Sequence, residues 1–552
     1  MKKIKKMLGV TLACMVIVSA VSCGDDNTGR RQQNETINTE QTQLYIYNYN
    51  AGFGGDWIKT IGKSFSEKYA EYSFEEGKKG VQVILDNEDA PPKVETVANS
   101  RDSIFFTENT NYYDFIGQGA MRDITSLVNE HIADGDASIV DKMNSYGSWG
   151  DFYKTSENKY YAIPFHEGMN GMIYDIDLFE SKSLYFSKAY DDGATGAARW
   201  AGATGERSKG PDGKYGTFDD GMPATYADFY VLLQRMKDRG VIPMHYAGKV
   251  IDYTTKAFTH FWATNEGKEQ MMLNFTFNGE ANDIATISGG EVSLSSETIN
   301  ADNAWKLQQQ YGKYQTLQFI KNITTDLSNF HTLSNSGSET HLSAQSTYLY
   351  SGMNNEPIAI LFDGTWWQRE ANAIFDAMAS TDASYSKANR RFGLMPIPHA
   401  TDANVGNKQV YIGGLGSMVF MNPDAKGGHL AAAEAFMKFI HTEESLKMFT
   451  KETGSTRPFV YNFDNGELIK LPSFTQSVWN IHKNEIIINS RSNALLHINN
   501  FDTLNIDYTA FDASIGGVNY KAPISALKTI SVEDYFNGML NYRKNNWSKL
   551  VR

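Results

Sequence analysis

The chain has 552 residues, 41% hydrophobic and 13% aromatic, with 51 Lys and Arg against 64 Asp and Glu, a formal charge of −13. No basic run interrupts this acidic surface after the first residues, which excludes nucleic acid and anionic lipid headgroups as partners, since both need a patch that neutralises phosphate. With only two cysteines, the fold must be held by core burial, which a chain of this length can supply.

Lys2, Lys3, Lys5 and Lys6 precede an uncharged run over Met7–Val21, and small residues lead into Cys23. That is the pattern of a secretory leader, too short to span a bilayer. Ala20-Val21-Ser22-Cys23 resembles a bacterial lipobox with Ala in place of the usual Leu, so residues 1–22 are expected to be a lipoprotein signal peptide and Cys23 a lipidated membrane anchor at the cell surface or in the periplasm. The alternative is ordinary cleavage, with Cys23 an idle thiol. Residues 23–40 are polar, with Ile37 the single aliphatic residue, and read as a tether. Loss of the four leader lysines leaves 47 basic against 64 acidic residues, about −17.

Leu44 to Asn50 alternates like a strand; Gly52, Gly54 and Gly55 turn the chain, and Asp56 starts a helix with Trp57, Ile58, Ile61, Phe65 and Tyr69 inward. Val81, Val83 and Leu85 alternate again, completing a βαβ unit and hence the start of a parallel sheet. Neither Gly52-Phe53-Gly54-Gly55 nor Gly62-Lys63-Ser64 has the glycine spacing of a nucleotide loop. Asp102–Phe106 predicts a strand with the polar exit Thr107, Glu108, Asn109, and Gly171–Asp175 another. Pro223-Ala224-Thr225 opens a helix with Phe229, Leu232, Leu233 and Met236 inward, closed by Gly240. Residues 272–355 are weakly periodic, with helix expected over 303–322. Further helices are expected over Ala431–Ile440, Glu443–Phe449 and Val532–Asn541. This alternation exceeds one ordinary domain and points to two α/β lobes.

Ile358–Phe362 is an apolar run ended by Asp363-Gly364, then Thr365-Trp366-Trp367-Gln368 at a helix start. Thr365 and Gln368 fit a capping box, and Trp367, Ala371, Ile374, Phe375 and Met378 share one face. Paired indoles at the carboxyl end of a strand lie where open α/β sheets bind ligands; both rings could instead be core or interlobe packing. A pyranose presents an apolar face and a belt of hydroxyls, so its site needs an aromatic plate with carboxylates or amides around it. Glu108, Asn109, Glu167 and Asp363 could form that belt, and Glu108 and Glu167 could equally be solvated loop charges or caps. His166 is expected to be packed or exposed rather than a ligand group. Residues 210–221 are rich in Asp and Gly. A structural Ca²⁺ held by Asp212, Asp219 or Asp220 is one reading, turn chemistry alone the other, and the EF-hand pattern is absent.

In order along the chain, Tyr161-Ala162-Ile163-Pro164, Gly171 to Phe179, Pro223 to Phe229, Asp363 to Trp367, Met395-Pro396-Ile397-Pro398, Ala433 to Ile440 and Thr453-Gly454-Ser455-Thr456-Arg457-Pro458 follow one another behind the lipobox. In this order they resemble family 1 of the extracellular solute-binding proteins, the maltose-binding-protein-like sugar receptors of ABC importers. The resemblance covers most of residues 41–465 and implies a two-lobed periplasmic-binding-protein fold of type II, each lobe a sheet flanked by helices, with the ligand cleft between. It implies an N-terminal lobe of 41–163 plus 409–465 and a C-terminal lobe of 164–408 plus 466–552. The family's stacking aromatic falls on Trp366 or Trp367, its polar loop on Thr107, Glu108 and Asn109, and a ligand-touching tyrosine on Tyr246 or Tyr253. Tyr49, Asn50 and Trp57 lie near the cleft. The implied protein is a monomeric receptor for a carbohydrate, delivering it to an ABC permease and requiring no cofactor. A secreted glycoside hydrolase, which would need two facing carboxylates, and a surface adhesin or sensor component are the alternatives. No Gly-x-Ser-x-Gly or His-Glu-x-x-His motif is present.

Overall fold

A computed structural model describes residues 36–489 and 511–551, apart from Asn109, Asp134 and Ser148. The leader, Cys23 and Asn109 therefore lie outside the described residues. Two mixed sheets organise the chain. The first has the order Val81–Glu88, Thr42–Tyr49, Ile104–Thr107, Met418–Met421, Ala162–Ile163. Its first three strands are parallel, as the βαβ reading requires, and Met418–Met421 enters antiparallel from late in the sequence. The second has the order Phe392–Leu394, Asn170–Asp175, Ile358–Gly364, Ile242–Tyr246. In it Asn170–Asp175 runs antiparallel to both neighbours, and Ile358–Gly364 is parallel to Ile242–Tyr246. Every residue of Ile358–Gly364 is buried, which explains its unbroken apolar run.

Helices cover both sheets. Asp56–Lys68 buries Trp57, Ile58, Ile61 and Phe65. In Tyr226–Asp238, Thr225 and Asp228 exchange a capping box and Phe229, Leu232, Leu233 and Met236 face inward. The helices expected near the C-terminus run Gly427–Phe439, Glu443–Thr453 and Val532–Leu550. Among the described residues, no helix is long and apolar enough to cross a membrane. Within the weakly periodic region the structure adds a hairpin that the sequence reading missed. Gly279–Ser288 pairs antiparallel with Glu291–Ile299 around Gly289 and Gly290, both at positive φ, and Glu533 accepts hydrogen bonds from both glycine N–H groups at 3.1 Å.

The chain passes between the sheets through Pro164–Met169 and returns through Gln409–Ser417. Val410–Gly413 pairs in parallel with Ile486–Asn489 to form a separate two-stranded ribbon. His260, fully buried, holds this crossing: its Nδ1 accepts from the Ile412 N–H at 3.0 Å and its Nε2 donates to the Asn170 carbonyl. Burial pushes its pKa down to about 4, which keeps the ring neutral. Helix Ser473–Asn484 packs on the second sheet, its Ser473 and Ser477 hydroxyls accepting from the N–H groups of Phe392 and Leu394.

Candidate functional site

The carboxyl ends of strands from both sheets meet around Trp366. From the first sheet come Tyr49 and the Asn50–Gly55 loop, and the exit of Ile104–Thr107; from the second come Asp363–Glu370, with Tyr253 from the start of helix Asp252–Thr276. Trp366 lies against the backbone of Gly52 and Gly364: a Cβ on either glycine would stand 2.5 or 2.2 Å from the indole. Its edges meet Phe53 and Tyr253, each at 5.9 Å between ring centres and nearly perpendicular. Only glycine lets the loop approach this closely, which is the local reason for that loop's composition. Gly54, at φ +63°, likewise lies under the guanidinium of Arg369, which also pairs with Asp56 at 3.3 Å.

Acids cluster about Tyr253, which meets the edge of the ring. Gln345 Nε2 donates to Asp363 at 3.1 Å and to Glu370 at 2.8 Å. Burial, and then the Glu370 charge, hold the Asp363 carboxyl well above the usual carboxylate range. Burial pushes Glu370 up to about 7 against the opposing pull of Gln345 and Arg369. Glu108 accepts from His166 Nε2 at 2.7 Å; because the Gly168 N–H donates to Nδ1 at 2.9 Å, the proton of the neutral ring sits on Nε2. Tyr253 feels Glu370, Asp363 and Glu108 together, and burial first, then these charges, raise its pKa. Tyr49 is raised by burial and by Glu108. Acids from both sheets therefore share one enclosure with Trp366.

Thr107 is buried, donating to the Glu108 carbonyl and sharing a hydrogen bond with Thr110, and so shapes the Glu108 loop from within. Asn50 is half-buried, its N–H donating to the Glu88 carbonyl at 2.7 Å. Four expected site residues point elsewhere. Trp367 is wholly buried among Phe392, Phe474, Phe375 and Tyr348, with ring centres 5.0 to 6.0 Å away, and serves the core rather than the enclosure. The reason is geometric: successive residues at a helix start diverge by about 100°, so adjacent indoles cannot share a face. Trp57 packs among Phe106, Phe165 and Phe449. Tyr246 is buried against Phe330, its hydroxyl donating to Asn335. Glu167 is wholly buried and accepts from His482 Nδ1 at 2.6 Å, away from Trp366.

The expected capping box also fails. Thr365 lies in the backbone crossing, its N–H donating to the Met169 carbonyl at 2.9 Å and its hydroxyl 3.4 Å from that of Ser455, so it is not free to cap. Sequence reading missed Glu370, Gln345 and Phe53. For Phe53 the flanking glycines were a usable signal; for Glu370 and Gln345, which are brought in by helices, there was none. In the 210–221 loop, Asp219 accepts from the Asp212 N–H and the Thr217 hydroxyl, and Asp220 from the N–H groups of Gly216 and Thr217. These carboxylates close the turn on its own donors, as the turn-chemistry reading describes. Among the described residues, no group of three or more His, Cys, Asp or Glu converges as a metal site.

An aromatic face, carboxylates and tyrosine hydroxyls in one enclosure can hold a polyhydroxylated solute. The profile of the family described as bacterial extracellular solute-binding protein matches residues 72–475. Among curated proteins none matches the sequence significantly. Among solved structures, the chain is similar to the apo form of RafE from Streptococcus pneumoniae, with 11% identity, TM-score 0.51, and 93% of this chain and 99% of that one covered. It is similar to the GacH receptor of Streptomyces glaucescens, with 11% identity, TM-score 0.50, and 91% and 98% covered. A third is the cyclic α-maltosyl-1,6-maltose binding protein of Arthrobacter globiformis, with 12% identity, TM-score 0.50, and 92% and 100% covered.

Proposed function

The chain belongs to the bacterial extracellular solute-binding proteins and has a two-lobed α/β fold, and from that premise we propose that it binds an oligosaccharide between its lobes and delivers it to an ABC import permease. The observation that carries this reading is Trp366, cradled on Gly52 and edge-on to Tyr253, about which Glu108, Asp363 and Glu370 gather from both sheets. The indole stacks on the apolar face of a pyranose, and the carboxylates accept its hydroxyl protons. The Streptomyces receptor was solved with acarbose, and the Arthrobacter protein is titled for a cyclic maltosyl-maltose, both oligosaccharides, which supports this choice of ligand.

The mechanism is a shift in an open–closed equilibrium. A sugar touching both Glu108 and the Asp363–Glu370 side favours the closed form by its contacts to the second lobe. The protein acts outside the cytoplasm as a monomer, held to its membrane by lipid on Cys23, and needs no cofactor to bind. Calorimetric titration against mono- and oligosaccharides tests the reading, with Trp366→Ala alongside and the sugar recovered afterwards. The expected result is intact sugar and binding weakened at least about tenfold, ~1.4 kcal/mol, in the variant. Cleaved sugar, or a variant that binds as tightly as the parent, overturns it.

A further inference from the structure

A cavity of about 330 Å³ is lined by none of the residues grouped around Trp366. Its walls are the end of helix Ile139–Tyr146, the stretch Phe459–Tyr461, and the last turn of Ser473–Asn484 running into Ile486–Asn489. It therefore sits on the crossing ribbon, between segments that flank the first sheet and a helix packed on the second. His482 lines it and is only 4% exposed. The His482 ring is clamped between Tyr146, at 4.5 Å and 12°, and Trp479, at 4.9 Å and 30°. Its Nδ1 is engaged by the buried Glu167 carboxylate at 2.6 Å. The Glu167 carboxylate on one nitrogen fixes the orientation of the ring in the cavity wall.

The rest of the lining fits an acceptor with negative charge. Lys268, Lys408 and Lys483 stand exposed on the rim. Glu485, the acid among the lining residues, is already engaged by the Gln409 N–H at 2.6 Å. The inner wall is apolar, formed by Phe459, Ile487 and Ile488. We propose that this cavity binds a small organic anion, its carboxylate or phosphate meeting the rim lysines and its apolar body lying against the Phe459 wall. The site is independent of the sugar site and takes a different class of ligand.

Calorimetric titration of the full chain with inorganic phosphate, with benzoate, and with benzyl alcohol as the uncharged control tests the proposal. Binding of phosphate or benzoate but not of the alcohol is expected, weakened in high salt because the rim lysines are solvated. Tighter binding of benzoate identifies a carboxylate on an apolar body as the occupant; tighter binding of phosphate identifies the phosphate group. The triple variant Lys268→Gln, Lys408→Gln, Lys483→Gln changes only exposed side chains and is expected to weaken binding at least about tenfold. Trp366→Ala is expected to leave anion binding unchanged, so failure here is separable from failure of the sugar assignment. Absence of binding by both anions at millimolar concentration, equal binding of the alcohol, or undiminished binding in the triple variant would each overturn the proposal.

Discussion

Two regions of the molecule begin at neighbouring residues and have opposite characters. Trp366 looks into an enclosure made by both sheets, among three acids, two tyrosines and backbone glycine. Trp367, one residue on, is packed among four aromatic rings of the second sheet and its covering helices, with no carboxylate in contact. Both indoles are almost fully shielded, so burial alone does not separate them. What separates them is the company they keep. A ring surrounded by rings serves packing, although the Trp367 Nε1–H finds no hydrogen-bond partner among the described residues; a ring beside glycine and the Tyr253 hydroxyl has polar groups about it that a solute can use.

Exchanging each indole for alanine breaks this comparison most directly. Trp367→Ala is expected to lower the unfolding free energy by ~3–5 kcal/mol, measured by chemical denaturation, while sugar affinity of the folded fraction stays near that of the parent. A protein that loses sugar binding but keeps its stability would reverse the two roles.

The acidic character of the Trp366 side gives the next largest effect. Glu370 is pushed up to about 7 in the folded chain and sits near its ordinary 4.5 when unfolded. Between these values the folded form retains a proton that the unfolded form has lost, so stability falls as pH rises from ~4.5 to ~7 and is level above that. The upper limit is on the order of 3 kcal/mol. Glu370→Gln should flatten this part of the stability–pH curve. Asp219, fully buried and also pushed up to about 7 by burial, adds a loss of the same sign from outside the site, which the variant leaves in place. A curve unchanged by Glu370→Gln would show that its carboxyl titrates normally.

Gly52→Ala sharpens the picture. The new methyl would stand 2.5 Å from the indole and must displace it, at a cost of ~1–3 kcal/mol in sugar affinity, read by calorimetry. Unchanged affinity would mean that the ring position is immaterial. Arg369→Gln, which removes the pairing with the exposed Asp56, is expected to change stability by less than ~1 kcal/mol, read from the denaturation midpoint.

Much of the scaffold could be read from residue order. Leu44 to Asn50 and Ile358 to Phe362 announce their strands because one alternates in sequence and the other is apolar throughout, although both strands are largely buried on both faces. The hairpin at Gly279–Ile299 escaped because Glu291–Ile299 is exposed along almost its whole length and carries no burial period; the Gly289-Gly290 pair was its one local signal. Of the residues grouped here, Trp366, Asp363 and Glu108 were legible as types in suitable loops, and Tyr253, on a helix, only as one of two tyrosines the resemblance implied. Which of two adjacent indoles packs into the core was not legible, because that depends on how a four-residue helix sits on its sheet. Glu167 shows the same limit in reverse: a loop acid next to His166 looks available, yet tertiary structure turns it inward to His482.

The Thr365 tie between the Trp366 turn, Met169 and Ser455 has a practical consequence for spectroscopy. A fluorophore anchored beside the pivot of a hinged molecule reports occupancy and barely senses aperture. Opening angle would be better read from dyes at outlying exposed positions, such as Lys63→Cys on one body and Ala377→Cys on the other, with the indole signal kept as a separate count of bound sugar.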